Sequence, residues 1–301
     1  MRIEAAAELF FTYLEHERGC SAATSTAYGS DVGALLRYLA QEGVEGCVES
    51  LTAQVLRRYV SWLSISGYSA GTIARRVYAI SSLFRYLVSY GYAEGNPCQC
   101  VVVPKRRRRM PSVLSLEEAR GALVASEDHR WARMGFRNRA IVAVLLFCGL
   151  RRAEVAGLAT SDVDLRSGWL KVRNGKGGRP RSVPLVREVG DALRDWLEFR
   201  PAVDHDCLFT GLGGKALGCK GVANVFKRSA KGAGVWRAGV SAHTARHTFA
   251  SLLLQEGCDL VSIQQLLGHA DLSSTSIYLH LEAGHLKSAV ERHPLCGGIG
   301  L

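Results

Sequence analysis

Tyr278 sits in the stretch LGHADLSSTSIYLH, behind a run of small hydroxylated residues, Ser273, Ser274, Thr275 and Ser276. A phenol ionises near pH 10, so it becomes a nucleophile only beside a base or within a cationic surround. His269 precedes it by nine residues and can give or take a proton near neutral pH. Upstream, HTARHTFAS places His243 and Arg246 three apart, on one face of a helix. His243 and His247 are four apart, which invites a zinc-protease reading, but residue 244 is Thr where that chemistry needs Glu. A His and an Arg beside an oxyanion fit better, because Arg offers a planar fork to two oxygens. In GLRRAEVAGL, Gly149 ends one helix, Arg151 opens the next, and Glu154 lies where it can hold Arg151 by a charged hydrogen bond. Lys176 occupies the tip of NGKGG, with glycines on both sides that let the backbone approach a ligand. Each feature has a bland alternative: a buried structural Tyr, a helix cap with an incidental Arg, a weak surface pair, a solvated loop lysine.

These groups need a scaffold, and hydrophobic spacing predicts a mainly α chain with a small β-sheet (α+β) in its C-terminal part. The first hundred residues read as four helices with short turns. The first carries Ile3, Ala7, Phe10 and Leu14, and the second Tyr28, Val32, Leu35 and Leu39. The third follows Thr52 with Leu56, Tyr59 and Leu63, and the fourth follows Ser69 with Ile73, Ile80, Leu83 and Leu87. Prolines and the run Lys105, Arg106, Arg107, Arg108 and Arg109 then mark an extended basic linker. The expected organisation is therefore a helical domain at 1–100, a linker at 101–112 and a second domain at 113–301. The second domain opens on Ser115 and Glu118, a capping box. An apolar helix is expected at 138–148, strands at 169–173 and 181–185 joined through Asn174-Gly175, and a short strand at 208–210. Helices at 223–231, 245–256, 260–267 and around 285–292 complete the reading.

The 301-residue chain is 48% hydrophobic, enough for two ordinary cores, and carries 38 Lys and Arg against 27 Asp and Glu, a formal charge of +11. Such a balance points to an anionic partner. The paired arginines Arg57 and Arg58, and Arg75 and Arg76, suggest a phosphate-contacting face on the helical domain, with the basic linker lying along a polyanion. No stretch approaches the roughly 18 apolar residues of a membrane span, and the acidic N-terminus is unlike a secretory signal. The nine cysteines form no regular framework and read as reduced cytoplasmic thiols.

The order G-L-R-x-x-E, G-K-G in a hairpin, H-x-x-R-H, L-G-H and then Tyr278 resembles the tyrosine site-specific recombinases, the phage-integrase family, and most resembles its Xer branch. The resemblance covers nearly the whole chain. Thr24, Tyr28 and Asp31, with Asn96-Pro97, are similar to that family's core-binding domain. The family implies an N-terminal four-helix, SAM-like core-binding domain and a C-terminal catalytic domain. It implies that Arg151 and Arg246 clamp the scissile phosphate, that Lys176 protonates the departing 5′ oxygen and that His243 assists proton removal from the tyrosine. His269 would hydrogen-bond the phosphate, Tyr278 would form a 3′-phosphotyrosyl link, and Glu154 would support the site from behind. Ala245 departs from the bulkier aliphatic residue of many relatives. The implied partner is double-stranded DNA bearing a recombination site, held by four copies on two sites, with a paralogous recombinase possible. Strand exchange would pass through a four-way junction, for resolution of the Xer type or for integration and excision of a mobile element.

The chemistry agrees with those roles. Phosphodiester cleavage builds charge on non-bridging oxygens, which two guanidiniums stabilise, and a Lys acid works if neighbouring arginines lower its pKa. No carboxylate cluster suited to magnesium occurs among these motifs, and there is no G-x-x-x-x-G-K-[ST] loop, so no cofactor, metal or ATP is expected. Two alternatives keep parts of the pattern: a type IB topoisomerase-like nicking and resealing enzyme, and a catalytically silent architectural DNA-binding protein.

Overall fold

The computed structural model describes residues 1–20, 22–104, 112–173 and 180–268. The basic run at 105–109, Lys176, His269, the hydroxylated run at 273–276, Tyr278 and the helix expected around 285–292 lie outside the described residues. The chain divides into two compact units, Met1–Arg109 and Met110–Leu301.

The first unit contains α1 (Ile3–His16), α2 (Ala22–Gln41), α3 (Ala53–Ile65) and α4 (Ala70–Ser89), followed by a 3-10 turn at Pro97–Cys100. Thr52 and Ser69 cap α3 and α4, each side-chain oxygen accepting a main-chain N–H three residues on. These are the donors a helix start otherwise leaves unsatisfied. Apolar residues at helical spacing then meet in one core that includes Phe10, Leu35, Leu56, Tyr59, Ile80 and Leu87. Each such side chain contributes about 2 kcal/mol by leaving water. Asn96 caps the 3-10 turn and donates to Ser81 O at 3.1 Å, fastening that turn to α4.

The second unit is built around α6 (Ala132–Phe147), with α5 (Leu116–Val124) before it and α7 (Arg152–Ala156) after it. Ala140 through Leu146 are all buried, so α6 is the unit's central helix. It begins earlier than the apolar run predicts, because Arg137 is buried within it. The Arg137 guanidinium donates to Asn138 Oδ1 and to Thr210 O at 2.9 Å. The antiparallel strands β1 (Val163–Asp164), β2 (Trp169–Val172) and β3 (Arg181–Pro184) form one sheet in that order, with Leu170 opposite Val183 and Val172 opposite Arg181. Among the described residues, four further helices follow: α8 (Arg187–Phe199), α9 (Cys219–Gly232), α10 (Ala242–Gln255) and α11 (Leu260–Leu267).

Three elements differ from the sequence reading. β1 has only two residues, too short to leave a periodic signal. The amphipathic helix α8 was not anticipated, although Val189, Ala192, Leu193 and Trp196 fall at helical spacing and are all buried. No strand forms at 208–210, because that segment's backbone groups go to different partners. Leu208 N donates to Leu158 O, Leu208 O accepts from Trp196 Nε1, and Phe209 O accepts from Leu217 N.

Candidate active site

The site starts at the turn between α6 and α7. Gly149 has φ +60°, and a Cβ there would lie 2.4 Å from Phe249 Cδ1 and 2.9 Å from Leu267 Cδ2. Both the left-handed conformation and the close approach of α10 and α11 require glycine. The turn leaves Arg151 at the N-cap of α7 in an extended conformation. Its main-chain N–H donates to Glu154 Oε2 at 2.8 Å, and its Nη1 donates to Glu154 Oε1 at 2.7 Å. Arg151 Nη2 reaches the carbonyl of Gly268 at 3.4 Å.

Arg246 enters from α10 and is buried. Its Nη1 donates to Gly149 O at 2.7 Å and its Nη2 to Leu267 O at 2.6 Å, while Nη1 lies 3.9 Å from Glu154 Oε2. Arg151 and Arg246 thus share one carboxylate and the C-terminal end of one helix. Helix C-termini carry partial negative charge, so α11 is a natural seat for cations. Gly268 closes α11 in the left-handed conformation, φ +62°.

Glu154 is the buried hub of this cluster. Burial pushes its carboxyl pKa up. Hydrogen bonds and charge from Arg181, with the Arg151 amide and guanidinium, outweigh that and hold it down to about 2. His243 lies one turn before Arg246 on α10 and is exposed. Its pKa is lowered, by desolvation first and then by Arg152, Arg246 and Arg151. His247, half-buried, is also lowered, by burial first and then by His243 and Arg246.

Arg181 belongs to this cluster and was missed from sequence. Its side chain is 9% exposed. Nη1 and Nη2 donate to the two oxygens of Glu154 at 3.0 and 2.9 Å, and Nε donates to Leu266 O at 2.8 Å. A signal existed: on a strand, Arg181 shares a face with Val183, which is buried, so a charge occupied an apolar phase.

The basic residues of the first unit divide. Arg57 and Arg58 are exposed on α3, and Arg57 Nη2 donates to Cys100 O at 3.2 Å. Arg75 is half-exposed and pairs with Asp31. Arg76 is buried, which corrects its place among the surface arginines: its guanidinium lies over the Tyr68 ring at 4.1 Å, with Nε 3.8 Å from Asp31 Oδ1. Asp31 is buried as well, and desolvation raises its pKa against the opposing pull of Arg75 and Arg76. Thr24, Tyr28, Asp31 and Arg75 line one cleft of about 350 Å³.

Residues 113–285 match the phage integrase family, and residues 7–91 match its N-terminal SAM-like domain. The tyrosine recombinase XerC of Thermodesulfovibrio yellowstonii is 33% identical over 295 residues, covering 95% of each chain. The XerC of Xylella fastidiosa is 35% identical over 286 residues, again 95% of each. Two solved structures share the fold. A XerH site-specific recombinase bound to palindromic difH substrate aligns at a TM-score of 0.74 and 23% identity, over 95% of this chain and 84% of that one. A Tn1549 transposon integrase in complex with transposon right end DNA aligns at 0.75 and 20%, over 95% and 98%. With this sequence kinship over nearly its whole length, the chain belongs to the phage integrase family and is a Xer-like tyrosine recombinase, an enzyme of site-specific DNA cleavage and rejoining.

Proposed function

We propose that the Arg151–Glu154–Arg246 cluster receives the scissile phosphate of a double-stranded recombination site, and that Tyr278 attacks it. The carrying observation is the convergence of two guanidiniums on one carboxylate and one helix C-terminus. Their N–H groups are already aimed at oxygen acceptors, so little reorganisation is needed to stabilise charge on a phosphate. In the reaction the Tyr278 Oη–P bond forms and the P–O5′ bond breaks. The phenolic proton leaves with the help of His243, and Lys176 delivers a proton to the departing 5′ oxygen. His269 donates to a non-bridging oxygen. The product is a 3′-phosphotyrosyl ester, and attack on it by a 5′ hydroxyl reverses the step without ATP. These steps need no metal ion.

Outside the phosphate site, Arg57, Arg58 and Arg75, with Lys105, Arg106, Arg107, Arg108 and Arg109, supply positive charge for the DNA backbone. Arg76 drops out of that set because it is buried. Four copies on two sites, with or without a paralogous recombinase, exchange strands pairwise through a Holliday junction in the cytoplasm.

The test has two stages. Covalent complexes trapped on genomic DNA map the cleaved site. A suicide duplex carrying that site, nicked beside the scissile phosphate, then accumulates a covalent protein–DNA band with the wild-type enzyme. Tyr278→Phe is expected to bind this duplex and form no band; a persisting band overturns the assignment of the nucleophile. Relaxation of supercoils with no strand transfer to a partner duplex would show nicking and resealing instead of recombination.

A further inference from the structure

We propose that Arg181 is a positioning residue for strand cleavage, acting through Glu154 on Arg151 and through Leu266 on the end of α11. The inference rests on the reading that Arg151 and Arg246 hold the scissile phosphate.

Arg181 opens β3, the strand that follows the segment carrying Lys176. Its three donor nitrogens are all engaged, two on Glu154 and one on the main chain of α11. Arg181 thereby ties the sheet both to the Arg151 turn, through Glu154, and to the last turn of α11. The approach is tight. A Cβ at Gly268 would meet Arg181 Cδ at 3.0 Å, and Gly268 needs its left-handed conformation besides. His269 follows Gly268 directly, and Tyr278 lies ten residues beyond Gly268.

Geometry sets the division of labour. Glu154 bonds the Arg151 main-chain N–H with one oxygen and the Arg151 guanidinium with the other. A carboxylate with two free torsions needs an anchor on its far side to keep that bidentate grip. Arg181 supplies it with a parallel two-bond fork, the arrangement that fixes a carboxylate plane most firmly. Its remaining nitrogen holds Leu266 O, adjacent to the Leu267 O held by Arg246 and two residues before the Gly268 O approached by Arg151. Arg181 spends its fork on Glu154 and its Nε on Leu266 O, contacts that lie within the protein frame. Its contribution is to keep Arg151 and the end of α11 in register.

The test uses full-length enzyme and the nicked suicide duplex described above. Displacing a phosphate clamp by a fraction of an ångström costs rate more than affinity, so Arg181→Ala is expected to cut single-turnover cleavage at saturating DNA about 10²-fold. Half-saturation should stay within about threefold of wild type, because the backbone contacts that give affinity are elsewhere. Arg181→Lys restores charge but cannot make three directed bonds, so it should recover about tenfold of that loss. Because Arg181 works through Glu154, the Arg181→Ala/Glu154→Gln double variant should be no more than about threefold slower than the slower single variant. Wild-type rates in Arg181→Ala overturn the proposal. So does a loss confined to DNA affinity, and so do single effects that multiply in the double variant. Should Arg181→Ala fail to fold, Arg181→Lys carries the test, and a wild-type cleavage rate in that variant overturns the proposal. If the wild-type enzyme forms no covalent complex, the phosphate-site reading fails instead, which the Arg181 variants alone could not show.

Discussion

Arg246 donates from Nη2 to the carbonyl of Leu267 at 2.6 Å, joining α10 to the last turn of α11. The same guanidinium donates from Nη1 to Gly149 O at 2.7 Å, so one buried cation joins three segments of backbone. The carbonyls it holds belong to the two glycine turns that frame the site. The Arg151–Glu154–Arg246 cluster proposed to hold the phosphate and the turn just ahead of His269 are thereby one mechanical unit.

Gly149→Ala should damage that unit directly. The residue sits at φ +60°, where a Cβ costs about 1–2 kcal/mol, and the added carbon would lie 2.4 Å from Phe249 Cδ1. Overpacking adds about 1–3 kcal/mol. The expected result is a loss of at least about 2 kcal/mol in urea unfolding, with cleavage impaired more than DNA binding. Wild-type stability in this variant would show that the turn relaxes freely.

Glu154 gives a pH signature. Its folded pKa, held down to about 2, lies below the ordinary 4.5. A depressed carboxyl contributes stability that is fully present above its unfolded pKa and is lost as pH falls through the folded one. Wild-type stability should therefore decline between about pH 4.5 and 2 in part through this group, and Glu154→Gln should show a shallower decline over that window. At pH 7 the same variant leaves buried guanidiniums short of their counter-charge, a loss of about 3 kcal/mol. Urea titrations of both proteins at several pH values measure both effects.

Local features of the fold were legible in the sequence, and long-range ones were not. Thr52, Ser69 and the Ser115–Glu118 box each cap a helix within four residues, so sequence spacing alone reveals them. The pairing of Arg151 with Glu154 is of the same kind. Arg181 escaped because its partners stand 27 and 85 residues away. Arg76 was grouped with Arg75 because adjacent arginines look alike in a string. On α4 they are rotated by about 100° from one another, which leaves one half-exposed and puts the other beneath Tyr68.

That rotation separates two kinds of arginine by experiment. Arg57→Ala and Arg58→Ala should weaken DNA binding and lower the slope of log affinity against log salt by about one each, as lost phosphate contacts do. Arg76→Ala should leave the salt slope unchanged. Removing its guanidinium strips buried Asp31 of one of its two cations, at about 2 kcal/mol of stability. Fluorescence anisotropy across a salt series, with thermal melts of each variant, distinguishes the two. An Arg76→Ala protein with wild-type stability and a reduced slope would return this residue to the DNA-facing set.

His243 carries the last prediction. Desolvation, then Arg152, Arg246 and Arg151, lower its pKa below the ordinary 6.5, so the imidazole is neutral at pH 7 and able to accept a proton. As pH falls through that lowered pKa, the ring becomes cationic and loses this capacity. The second-order rate constant for covalent complex formation reports the free enzyme, and its acid limb should lie below pH 6.5. His243→Ala should reduce this constant about 10²-fold, the scale of one general base, and abolish the limb. His247 is also held low, so His247→Ala is the control. If the limb survives in His243→Ala and vanishes in His247→Ala, the second imidazole of H-x-x-R-H takes the proton instead.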